Sequence, residues 1–268
     1  MPSLELPTGT RVAYLDAGSG PPLVLLHGWA MSSAVLADLG RALGAGRRVI
    51  LPDLRGHGAS SPAPLDLDLL ASDLAALVER LDLHEVSLAG WSLGGLVALA
   101  ALPRIRARVA RLALLSSTAR FTTGEGWPHG LPPQHVEVLA HRVRRDPGRA
   151  LPRFFDAMFV PGELDGAGRA RAAAIRDALA PPDPAAAQAG LALLSTADLR
   201  AELGAVDRPT LVIHGEADPI CPAGAGRALA AAIPGARLSL VPGAGHAPFL
   251  SRPTVLADAL RAFLDLRA

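Results

Sequence analysis

The stretch Val86 to Leu102 constrains this chain more than any other. An apolar run, Val86 to Ala89, enters the pentad Gly90-Trp91-Ser92-Leu93-Gly94, and a second, helix-like apolar run, Leu96 to Leu102, leaves it. That order reads as a strand turning sharply into a helix, with a serine at the apex and the first amides of the helix beside it. The glycines answer a steric need, because larger side chains at Gly90 or Gly94 would hold strand and helix apart. A serine presented in this way suits acyl transfer. A five-residue pattern also fits an inert serine in a Gly-rich turn, so the rest of the chain has to decide.

Around this turn, short apolar runs alternate with longer amphipathic ones, the rhythm of an α/β protein whose mostly parallel central sheet is flanked by helices. Strands are expected near Arg11 to Tyr14, Leu23 to His27, Arg48 to Pro52, Val86 to Gly90, Val109 to Leu115, Thr210 to His214 and Leu238 to Val241. Helices fit Val35 to Leu43, Leu67 to Leu81, Ser92 to Leu102, Ala223 to Ala232 and Thr254 to Leu266. Between Arg120 and Leu203 no strand-like run occurs, and helical stretches are broken by Pro and Gly. A segment of that length is too long for an ordinary loop. The expected organisation is a core of residues 1–119 and 204–268 and a helical cap of residues 120–203 over the carboxyl edge of the sheet, where α/β proteins bind ligands.

Composition narrows the function. At 268 residues, half of them hydrophobic, the chain can bury a full core. A formal charge of +1 offers no general attraction to nucleic acid or membrane, so any charged partner site must be local. All 26 basic residues are arginine. The single cysteine, Cys221, cannot form an internal disulfide and fits a reducing compartment. The first ten residues carry neither a basic start nor a long apolar run, and no segment reaches the ~18 apolar residues of a membrane helix. A cytoplasmic monomer is expected. No metal or cofactor is expected either, since the chain has no H-E-x-x-H, no Walker A and no G-x-G-x-x-G sequence.

A serine hydroxyl becomes nucleophilic when a base takes its proton, and the base needs a third group to orient it. Asp218, in H-G-E-A-D-P after the expected strand at Thr210, and His246, in G-A-G-H-A-P-F after the strand at Leu238, supply both. The order Ser92, Asp218, His246 is that of α/β-hydrolases. Glu216 is the nearest rival acid and is expected to face outward. No carboxylate follows the strand ending at Leu115, where the chain reads Ser116-Ser117-Thr118. The negative charge of a tetrahedral intermediate calls for two amide donors. Leu93 N–H supplies one by position, and Trp29 N–H, in Leu25-Leu26-His27-Gly28-Trp29, the other. His27 and the cluster Asp53 to Ser60 are read as braces of their loops.

Six segments together carry a resemblance: L-L-H-G-W-A, G-W-S-L-G-G-L-V-A, S-S-T-A-R-F, L-P-R-F-F-D-A-M, L-L-S-T-A-D-L-R and G-H-A-P-F-L-S-R-P. They resemble the biotin-pathway carboxylesterases of the α/β-hydrolase superfamily, the pimeloyl-acyl carrier protein methyl ester esterase family, from about Leu23 to the C-terminus. The resemblance implies hydrolysis of the methyl ester on an acyl carrier protein-bound substrate, with Ser92 as nucleophile, His246 as base and Asp218 as its orienter. It further implies an oxyanion region at Trp29 and Leu93, an acyl channel along Phe154, Phe155, Asp156, Ala157 and Met158, and carrier docking at Arg149 and Arg153. The cap holds Arg142, Arg144, Arg145, Arg149, Arg153, Arg169, Arg171 and Arg176 against few acids. Such a surface would steer an acidic carrier. Two other readings stand beside this one: a lactonase, C–C bond hydrolase or cofactor-free perhydrolase with the same three residues, and a non-catalytic binding protein. Epoxide hydrolases and dehalogenases typically carry aspartate where Ser92 stands.

Overall fold

Runs such as Pro22-Leu-Val-Leu-Leu26 and Leu112-Ala-Leu-Leu115 are apolar on successive residues, so they are stable only as strands covered on both faces. The computed structural model, which describes residues 1–266, places them inside an eight-stranded sheet. The strands are β1 (Ser3–Glu5), β2 (Arg11–Gly18), β3 (Pro22–Leu26), β4 (Arg48–Pro52), β5 (Val86–Trp91), β6 (Val109–Leu115), β7 (Thr210–Gly215) and β8 (Arg237–Val241). Their order is β1-β2-β4-β3-β5-β6-β7-β8, with β1 and β2 antiparallel to their neighbours and the others parallel. Each expected strand forms. The edge strand β1 lies outside the expected set: three residues alternating between exposed and half-buried carry too little apolar signal to be read alone.

Helices α1 (Ala37–Leu43), α2 (Leu67–Arg80), α3 (Leu93–Ile105), α8 (Ala223–Ala232), α9 (Pro248–Ser251) and α10 (Pro253–Leu264) flank the sheet. Helix α2 starts where the Asp66 carboxylate accepts from Leu69 N–H at 2.8 Å, and it buries Leu70, Ala71, Leu74, Leu77 and Val78 along one face. Helix α3 is apolar nearly all round and is buried nearly all round, as expected of the helix behind the serine turn. No helix among the described residues is long and apolar enough to cross a membrane.

Between β6 and β7 lie α4 (Pro133–Arg145), α5 (Pro147–Asp156), α6 (Gly166–Ala178) and α7 (Pro184–Thr196). The breaks seen in the sequence are their starting signals. Asp146, Asp165 and Asp183 each accept a hydrogen bond from a first-turn amide, and proline takes the first helical position of α5 and α7. Among the described residues, β-type pairing in this stretch is limited to three isolated bridges, one of which, Arg120 to Asp198, joins its two ends. Leu199 N–H donates to Ala119 O at 2.9 Å and Arg120 Nη1 to Asp198 Oδ2 at 3.0 Å, so the segment leaves and rejoins the sheet through one hydrogen-bonded neck.

Candidate active site

In a parallel sheet the loops after every strand gather at one edge, and the candidate residues lie in four of those loops. Trp29 follows β3, Ser92 follows β5, Asp218 follows β7 and His246 follows β8. Strands β3 and β5 are direct neighbours at the middle of the sheet, so Ser92 stands centrally.

Ser92 has φ 55° and ψ −119°, a left-handed backbone that a residue with a side chain adopts only under constraint. The constraint is visible. Ser92 N–H donates to Leu115 O at 3.0 Å, extending the ladder to β6, while Ser92 O accepts from Gly95 N–H at 3.0 Å and Ser117 Oγ at 2.9 Å. The turn is also too tight for side chains. A Cβ on Gly90 would stand 2.3 Å from Gly94 O, and one on Gly94 would stand 2.5 Å from Leu26 O.

The Asp218 carboxylate is buried and fully engaged. Its Oδ1 accepts from Ile220 N–H and Cys221 N–H, each at 2.8 Å, and its Oδ2 accepts from His246 Nδ1 at 2.8 Å. Burial alone would raise its pKa, but the charge of His246 and the hydrogen bonds from His214 and His246 outweigh that and hold it down at about 2. Glu216 is exposed and takes no part, in line with the expectation. Asp218 spends one carboxylate oxygen on its own loop and the other on the imidazole. That fixes His246 with Nδ1 protonated and Nε2 free to accept a proton.

Trp91 links this pair to the serine. Its Nε1–H donates to His246 O at 2.9 Å, and its ring lies 5.5 Å from the His246 ring and edge-on to Phe249 at 4.9 Å. The Ser92 hydroxyl is half-buried and forms no hydrogen bond among the described residues. No hydrogen bond joins it to His246 among the described residues, and such contacts commonly tighten only when substrate binds. Among the described residues the N–H groups of Trp29 and Leu93 donate to no acceptor, whereas the next amide after Trp29, on Ala30, is taken by His57 Nε2 at 3.2 Å. Ala30 itself sits at φ 59°, a second strained position on the same edge. The Trp29 ring is clamped from the insertion, with Nε1–H donating to Ala187 O at 2.9 Å and Phe154 edge-on at 4.9 Å.

The stretch Phe154 to Met158 divides by helical geometry. Phe154 and Ala157, three residues apart, line a groove of about 490 Å³ that is floored by Phe121, Leu131, Val136 and Ile220. Phe155 and Met158 turn into the core, and Asp156 faces out, paired with Arg176 at 2.8 Å. Of the five, Phe154 and Ala157 alone line this groove. Arg142, Arg145, Arg149 and Arg153 line the same groove, with Asp146 beside them, and among the described residues none of these four arginines forms an ion pair. Arg171 and Arg176, by contrast, are taken up by Asp38 and by Asp156 and Asp177.

His214 was not singled out from the sequence. It is fully buried at the end of β7, its Nε2 lying 2.7 Å from Cys221 O and 3.4 Å from Asp218 Oδ2. Its only sequence signal is a spacing of four residues from Asp218. His27 and His57 are braces, as expected: each accepts a backbone N–H at Nε2, from Leu54 and Ala30, and faces a carbonyl with Nδ1. Asp53 likewise accepts from Ser33 N–H at 2.7 Å and Ala59 N–H at 2.8 Å.

A strained serine between sheet and helix, at the same sheet edge as a buried Asp–His pair delivered by later strands, defines the α/β-hydrolase class, and the alpha/beta hydrolase fold family matches residues 21–253 of this chain. An esterase from Exiguobacterium antarcticum superimposes with a TM-score of 0.91 at 26% identity, over 98% of this chain and 99% of that one. The pimeloyl-[acyl-carrier protein] methyl ester esterase of Nitrosomonas europaea is 43% identical over 241 residues, 88% of this chain and 92% of its own. The protein of the same name from Xanthomonas oryzae is 37% identical over 255 residues, 92% of this chain and 96% of its own. The chain belongs to the pimeloyl-[acyl-carrier protein] methyl ester esterase family.

Proposed function

We propose that this chain is a serine carboxylesterase that hydrolyses the methyl ester of pimeloyl-acyl carrier protein, a biotin precursor, through an acyl-enzyme. The observation that carries the reading is the buried Asp218–His246 hydrogen bond at the same sheet edge as the strained, half-buried Ser92, whose neighbour Trp91 donates to the His246 carbonyl. In the proposed reaction His246 Nε2 takes the Ser92 proton as Oγ attacks the ester carbonyl, and the oxyanion accepts from Trp29 and Leu93 N–H. Collapse breaks the carbonyl–methoxy bond, and His246 returns its proton to the leaving methoxide, which departs as methanol. Water, activated by the same imidazole, then cleaves the Ser92 ester to release the free carboxylate and restore the serine.

The organisation proposed is a core of residues 1–119 and 204–268 with a cap of residues 120–203, supported by the hydrogen-bonded neck at Ala119 and Leu199. Phe154 and Ala157 are assigned to the acyl path. Arg149 and Arg153 are assigned to carrier docking, because their charges are uncompensated and an acidic partner would neutralise them. One buried thiol, Cys221, supports a reducing compartment and thus the cytoplasm. The test is Ser92→Ala assayed on the carrier-bound methyl ester and on a short synthetic ester. Turnover should disappear on both while the protein remains folded by circular dichroism; near-parental turnover in a pure sample rules the assignment out.

A further inference from the structure

The peptide of His246 is held from both sides. Its carbonyl accepts from the Trp91 indole, and its N–H donates to Met158 O at 2.8 Å, in the turn that follows α5. That turn also sends an acid into the histidine loop. Glu163 is only 5% exposed, its Oε1 accepting from Gly245 N–H at 2.7 Å and its Oε2 from Val160 N–H at 2.8 Å. Its own carbonyl accepts from Arg252 Nη1 at 2.9 Å. A carboxylate that gives up water needs fixed donors on its oxygens, and here both donors are main-chain amides, one of them on the residue that precedes His246. The approach is close enough to require glycine, since a Cβ on Gly245 would stand 2.3 Å from Met158 O and 2.8 Å from Glu163 Oε2.

We infer that Glu163 is a positioning residue for the proposed reaction: by gripping the Gly245 amide it seats the His246 imidazole over Ser92 and ties the histidine loop to the helical insertion. The inference rests on the reading of His246 as the base. Asp218 fixes which way the ring faces, but the distance of the ring from Ser92 depends on where the peptide of residues 245 and 246 lies, and that peptide is what Glu163 and Met158 hold. Loss of this hold should therefore slow chemistry and leave substrate binding in the groove nearly as it was.

The experiment compares Glu163→Gln and Glu163→Ala with the parent chain and with Ser92→Ala, using a short p-nitrophenyl ester and a fluorophosphonate that labels the serine. Misplacing a reacting group by about 1 Å costs on the order of 10²-fold, so Glu163→Ala should lose about that much kcat with KM little changed. Glu163→Gln keeps one acceptor oxygen and should fall between the two. Labelling rates, counted per folded molecule, should fall in step with kcat. If both variants label at the parental rate per folded molecule while Ser92→Ala is dead, the positioning role is wrong. An equal rise in KM with kcat unchanged would also overturn it. Activity surviving in Ser92→Ala would instead overturn the reading of the site itself. Because Glu163→Gln is isosteric, it carries the test if the alanine variant does not fold.

Discussion

At the scale of single residues, Asp218 has the most to satisfy. It closes its own loop with one oxygen and orients His246 with the other, and an amide side chain could not do both without turning an NH₂ group toward a donor. Asp218→Asn should therefore leave the imidazole in the wrong tautomer and lower kcat by about 10⁴-fold with little change in KM. Steady-state kinetics on a small ester would check this, and a loss of less than tenfold would separate Asp218 from the reaction. Asp218 and His246 were legible in the sequence because each follows an apolar run that makes a recognisable strand. His214 and Glu163 were not. A histidine inside a strand looks like core, and a glutamate in an irregular turn looks like surface. Only the folded chain brings the first within 3.4 Å of Asp218 and the second within 2.7 Å of Gly245 N.

At the scale of elements, the loops after β3 and β4 are locked together by neutral imidazoles. His27 and His57 each accept an N–H at Nε2, so protonation would set N–H against N–H inside the core. Burial, the dominant cause, lowers the pKa of both and brings His57 to about 4. For a base whose folded pKa is depressed, the contribution to stability is present above the unfolded value near 6.5 and is lost as pH falls toward about 4. The thermal midpoint should fall across that window and fall again below about pH 4, as Asp218, held at about 2, begins to cost stability. His57→Gln keeps an acceptor for Ala30 N–H but cannot take up the proton. Its melting curves should show a shallower dependence between pH 6.5 and 4, and an unchanged slope would remove His57 as a contributor. Arg55 ties the loop after β4 to α2 through Asp73, buried and doubly hydrogen-bonded at 2.7 Å.

At the scale of the whole molecule, four arginines on α4 and α5 that form no ion pair among the described residues face one groove of a protein whose net charge is only +1. Local fields of this kind act on encounter and docking more than on chemistry. Reversal of Arg149 and Arg153 to glutamate should weaken turnover of a carrier-bound ester by at least tenfold, an effect of about 1.4 kcal/mol, and should spare a small soluble ester. Parallel kcat/KM measurements on the two substrates would show it; equal losses would point to a defect in the channel. The insertion that bears these arginines also clamps the Trp29 ring through Ala187 and packs so closely that a Cβ on Gly190 would meet that ring at 2.5 Å.

The α/β architecture, the serine turn and the order in which Ser92, Asp218 and His246 follow their strands were determined by the sequence alone. Each is written in local patterns: continuous apolar runs for covered strands, glycines where backbones touch, and short polar motifs at strand ends. What tertiary structure decided is everything that depends on which surfaces meet. Helical periodicity put Phe154 and Ala157, but not Phe155, Asp156 or Met158, into the groove, and left Asp156 to pair with Arg176. The partners of Asp218 and Gly245 come from segments up to 82 residues away, and no local pattern encodes a contact of that range.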